Sequence, residues 1–158
     1  MSSLVTSTPI HLINLVVATL ELASRQLQRL APLADLAMRL WVANVFWNAG
    51  VLKYQSWETT LLLFEYEYQV PLLAPHHAAL AGTASELAFS AMLALGLGGR
   101  FAALGLSAVN VMAVLSYPGL NEIAREHHLV WGLMLLVPLF HGPGKLSLDH
   151  LLRRRITN

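Results

Sequence analysis

The chain has 158 residues, 56% of them hydrophobic and 12% charged, about half the charged share of an ordinary soluble domain. Ten Lys and Arg against nine Asp and Glu leave a net charge of +1, which argues against a nucleic-acid partner. There is no cysteine, so a disulfide framework, a thiolate metal site and a dithiol relay are all excluded.

Residues 1–33 read as a cytoplasmic or interfacial segment. Ile10 to Ala23 is apolar, but Glu21, Arg25 and Arg29 follow closely, which predicts an amphipathic helix lying on the membrane surface. A signal peptide fits less well, because neither a basic leader nor a clean small-residue cleavage site frames the apolar stretch. Residues 34–144 read as a membrane domain of four spans, since a bilayer core needs about 20 apolar residues per helix. The first span runs from Ala34 to Leu52 and includes Arg39, Asn44 and Asn48. The segment Tyr54–His76 is expected outside, with Thr59–Phe64 too short to span and lying across the mouth of the bundle. The second span runs from His77 to Leu97 with Glu86 near its middle. Gly96, Gly98 and Gly99 turn it tightly into the third, Arg100–Tyr117, whose strongly polar residue is Asn110. Pro118 and Gly119 end that span. The fourth, His128–Phe140, is short and is expected to extend through Glu126 and His127 and to His141, with a kink at Pro138. Gly142, Pro143 and Gly144 stop it, and residues 145–158 form a basic cytoplasmic tail. Arg25, Arg29, Arg100, Lys145, Arg153, Arg154 and Arg155 all fall on one side of this arrangement and only Lys53 and Arg125 on the other, so both termini are expected in the cytoplasm.

At about 1.5 Å per residue, Asn44, Glu86 and Asn110 all lie near the bilayer midplane. An acid there is costly and suggests function by default. Glu86 is expected either to bond a neighbouring helix, Asn44 for instance, as packing glue, or to bind a ligand or handle a proton. Arg39, Lys53 and Arg100 stand near span ends, where long cations snorkel to head groups. Alternatively, Arg39 or Arg100 binds an anionic head group or a carboxylate, and Lys53 pairs with Glu65 or Glu67. The pairs His76–His77 and His127–His128 open two spans on the same outer side, with Glu65 and Glu67 within reach as oxygen donors for copper or zinc. Adjacent histidines on a helix diverge by about 100°, so at most one of each pair faces a shared site. Most of the aromatic residues fall where amphipathic rings anchor in the interface.

Several stretches occur in an ordered series: Arg39-Leu40-Trp41, Asn48-Ala49-Gly50-Val51-Leu52-Lys53, the lone Glu86, and Gly96-Leu97-Gly98-Gly99-Arg100-Phe101-Ala102-Ala103. Together they resemble the DoxX family of small four-span bacterial membrane proteins over about Asp35 to Asp149. Phe64–Leu73, Ser116-Tyr117-Pro118 and His141–Asp149 look like one subgroup, whose members are typically encoded beside machinery that modifies small metal-linked peptides. The resemblance implies an all-α, antiparallel four-helix transmembrane bundle in a bacterial inner membrane, and an association with quinone-linked oxidation. The expected role is an accessory membrane subunit of a redox- or metal-linked system, holding a quinone or lipid or docking a membrane or periplasmic protein or a second copy of the chain. The alternatives are a quinone-linked oxidoreductase subunit and a periplasm-facing copper-handling protein.

Overall fold

A computed structural model describes residues 8–156, with side chains from Leu12 onward. The first seven residues of the predicted N-terminal segment and the last two of the basic tail lie outside the described residues. Six helices make up this part: α1 (Thr8–Gln55), α2 (Trp57–Tyr66), α3 (Pro75–Leu95), α4 (Gly99–Ser116), α5 (Glu122–His141) and α6 (Leu148–Ile156). No strand occurs among the described residues. By compactness the chain divides into a unit through Ala34 and a unit from Asp35.

In the first unit α1 exposes Leu12, Val16, Leu20, Leu27 and Leu30, and Glu21 pairs with Arg25 one turn on at 3.8 Å. The helix contains Pro32. Beyond Asp35 its buried positions are Arg39, Val42, Ala43, Phe46 and Gly50. Spaced by three, four and seven residues, they form one helical stripe. That stripe meets Leu93 of α3, Ala102, Ala103 and Leu106 of α4 and Leu135 of α5 in a single core.

Small residues set how closely these helices approach, as expected where van der Waals packing drives association. A methyl group on Gly105 of α4 would stand 2.4 Å from the Phe89 ring of α3, and one on Gly132 of α5 3.1 Å from the Asn110 amide. The α3–α4 turn is as tight as its glycines require. Gly96 and Gly98 take left-handed conformations, φ +67° and +56°, and the N–H groups of Gly96 and Leu97 bond back to Leu93 and Met92. Asn121 caps α5 by accepting from the Ala124 N–H at 2.8 Å. The predicted third-span end at Pro118 and fourth-span extension to His141 agree with the bounds of α4 and α5.

Two segments read as loop or tail are helical. α2 forms within the predicted outer loop because Trp57, Leu61 and Phe64 share one face, and Ala78 and Ala79 of α3 offer that face a flat partner. α6 forms in the tail, and its first turn is fastened to the hairpin. The Asp149 carboxylate accepts from the N–H groups of Gly98 and Gly99 at 2.9 and 3.0 Å, while the Asp149 N–H donates to the Gly96 carbonyl. α3 and α4 are each long and apolar enough to cross a membrane.

Candidate functional site

Lys53 stands in the last turn of α1 and Glu86 in the middle of α3. Gly50, one turn before Lys53, lets the two helices close at this level: a methyl group there would sit 3.2 Å from Cβ of Glu86 and 2.9 Å from the Leu87 side chain. The Lys53 ammonium therefore reaches both carboxylate oxygens, at 2.6 and 2.7 Å. Glu86 is 6% exposed. A carboxylate taken so far out of water costs several kcal/mol, and tight contact with the half-buried Lys53 ammonium offsets that. The Lys53 carbonyl also accepts from the buried Thr60 hydroxyl at 3.0 Å, tying α2 to the end of α1. One turn from Glu86 the Thr83 hydroxyl is buried with no hydrogen-bond partner among the described residues.

This pair forms the polar end of a cavity of about 260 Å³ whose other walls are mainly apolar: Phe64, Tyr68 and Val70, the α3 residues Ala81 and Gly82, and Val109, Met112 and Ala113 of α4. Two rings of its wall belong to a stack of three. Phe64 stacks on Tyr68 at 4.6 Å and Tyr68 on Tyr117 at 5.0 Å. The Tyr117 hydroxyl donates to Glu67 at 2.7 Å, and the Gln69 N–H donates to the Ser116 carbonyl at 2.7 Å. The chain after α2 is thus pinned to the end of α4. Burial, and after it the Glu86 carboxylate, pushes the Tyr68 hydroxyl above the ordinary tyrosine range, so it stays a neutral hydrogen-bond donor. An apolar chamber with one ion pair and one phenol suits an amphipathic molecule with a neutral polar end. A cavity of this size, just below the usual range of about 300–1,000 Å³, holds one ring or a length of acyl chain.

The remaining predicted site residues are distributed elsewhere. Glu86 binds Lys53 and not Asn44, which is exposed beside a separate hollow of Leu40, Trp47 and Ala91; Asn48 is also exposed. Lys53 does not pair with Glu65 or Glu67, because the latter bonds Tyr117 and the α1 end turns toward α3. Asn110 is buried against α5: its amide donates to the His128 carbonyl at 2.8 Å, and its oxygen meets His128 Nδ1 at 2.7 Å. Arg39 neither snorkels nor meets a carboxylate directly. It is 2% exposed and donates to the carbonyls of Pro143 and, at 2.7 Å, Leu146, fastening the segment after α5. Arg100 is exposed and donates to the Phe140 carbonyl at 3.2 Å.

His76 packs edge-on against Trp57 and His77, and His127 and His128 both lie against Trp131. Among the described residues no three His, Asp or Glu side chains converge as a metal site. Sequence reasoning missed Phe64 and Tyr68 as cavity walls; their signals were the aromatic density of Phe64–Tyr68 and its place in the family-like stretch Phe64–Leu73.

No curated protein and no solved structure matches the chain. The DoxX family pattern matches residues 34–118, which covers the second half of α1, the whole of α2, α3 and α4, and therefore Lys53, Glu86 and every wall of the cavity. The chain belongs to the DoxX family of membrane proteins.

Proposed function

We propose that this protein is an accessory integral membrane protein that holds one end of a hydrophobic molecule, a quinone or a lipid, in the Lys53–Glu86 cavity. The observation that carries this reading is an ion pair, its carboxylate buried and its ammonium partly so, at the end of an otherwise apolar chamber. Packing alone gives such a pair little reason to exist, since apolar replacements of similar volume are commonly as stable. A neutral carbonyl or ester end would accept from the Lys53 ammonium or the Tyr68 hydroxyl, and its tail would lie along Val109 and Met112.

In this reading the spans are the part of α1 after Ala34 together with α3, α4 and α5, packed as an antiparallel four-helix bundle in a bacterial inner membrane. Residues 1–33 form a surface segment, 34–144 the membrane domain and 145–158 a basic cytoplasmic tail. The one-sided distribution of Lys and Arg supports both termini being cytoplasmic.

The test is the small-molecule content of protein purified in mild detergent, measured by mass spectrometry for the wild type and Glu86→Gln. The wild type should carry a quinone or a defined lipid near one equivalent, and Glu86→Gln should lose most of it while keeping its helical circular dichroism. Equal content in the two proteins would contradict the proposal.

A further inference from the structure

At the opposite end of α3 and α4 from Tyr68, a second and larger hollow of about 590 Å³ lies between the hairpin, the 142–147 segment and α6. Its walls include Arg100, Lys145 and Arg153, with His141 and His150 beside them. The one carboxylate in that wall, Asp149, is engaged through both oxygens with the backbone N–H groups of Gly98 and Gly99. Asp35, the nearest acid behind it, reaches the back of Gly144 and lies close to Arg39. Arg100 and Lys145 thus outnumber the one carboxylate of the wall, which the backbone N–H groups hold against the hairpin.

The helix on its flank adds a second observation. Along α6, Leu148, Leu151, Leu152 and Ile156 follow the spacing of one helical face, and all four are exposed. Arg153, Arg154 and Arg155 occupy its last turns. Phe101, on the α4 side, is 61% exposed. A short helix with one leucine-rich face and a basic end lies in the plane of a membrane surface, which would set the hollow at the level of the head groups with Phe101 and the leucines among the acyl chains.

We propose that this hollow binds the phosphodiester head group of an anionic phospholipid, with Arg100 and Lys145 on the phosphate and the apolar face of α6 beside the acyl chains. The charge chooses the ligand: Arg100 and Lys145 suit an anionic lipid, and a zwitterionic lipid would bring its own cation into their field. Arg100 is positioned for this by its bond to the Phe140 carbonyl, which holds the guanidinium at the wall. The site is separate from the Lys53–Glu86 cavity and needs only that the chain lies in a membrane.

The experiment uses delipidated full-length protein in dodecylmaltoside at low salt. It is incubated with equal amounts of phosphatidylglycerol and phosphatidylcholine of matched acyl chains, repurified, and its bound lipid measured by mass spectrometry. The wild type should retain phosphatidylglycerol in clear excess, and raised salt should reduce that excess. Lys145→Gln, on an exposed segment outside the core, should lower the preference about fivefold, the effect of one basic residue at an anionic surface. Equal retention of the two lipids by the wild type, or an undiminished preference in Lys145→Gln, would overturn the proposal. So would loss of the preference in excess inorganic phosphate, which would assign the hollow to free phosphate.

Discussion

Lys53 shows how one residue gains its role from the residue it can reach. By sequence distance its partners were Glu65 and Glu67, only twelve and fourteen positions on; in the fold it meets Glu86, because Gly50 brings α1 against α3. The burial of Glu86 was legible from its place in an apolar run, and so was its need for a partner. The identity of that partner was not, since it depends on the rotation of α1 about its own axis, which turns Asn44 outward and Lys53 inward. If the pair acts as a unit, its two members couple. Lys53→Met leaves an uncompensated buried carboxylate and should cost about 3 kcal/mol or more. Adding Glu86→Leu should recover most of that loss, and thermal unfolding of the single and double variants in detergent measures the coupling. Costs that simply add would show that the two charges do not depend on each other.

At the scale of elements, boundaries set by glycine and proline were the most legible features. The Gly96–Gly99 turn, the stop at Pro118 and the stop at Gly142 need only local backbone chemistry. α2 and α6 were not legible because each forms against something distant: α2 against Ala78 and Ala79, α6 through Asp149 on the hairpin N–H groups. Arg39 belongs to the same lesson, since its acceptors are carbonyls more than a hundred residues away. The packing makes a graded prediction about glycines. Gly105→Ala drives a methyl group to 2.4 Å from the Phe89 ring and should cost about 1–3 kcal/mol. Gly82→Ala places one at 3.6 Å from Phe64, an ordinary contact, and should be neutral or slightly stabilising, because alanine is the better helix former by up to about 1 kcal/mol. Melting temperatures of the two variants check the order, and equal losses would contradict it.

For the whole molecule, composition was the strongest guide to a membrane protein: 12% charged residues are few for an ordinary soluble surface. The proposed topology makes a direct prediction. A reporter active only in the periplasm should be active when fused after Gln69 or Asn121, and inactive when fused at Gly98 or after Asn158. Reversal at any two of these points would invert or dismantle the four-span arrangement. The cavity was not legible at this scale, because it exists only where α1, α2, α3, α4 and the Tyr68 segment all meet. Its occupancy is the central claim, and it can be tested without touching either charge. Ala113 lines the chamber, so Ala113→Phe should fill it, whereas Ala91→Phe alters the separate hollow beside Asn44. The measurement is the quinone and lipid bound to each purified variant. Ala113→Phe should lose its ligand while Ala91→Phe keeps it, with helical content unchanged in both; full ligand content in Ala113→Phe would contradict the account.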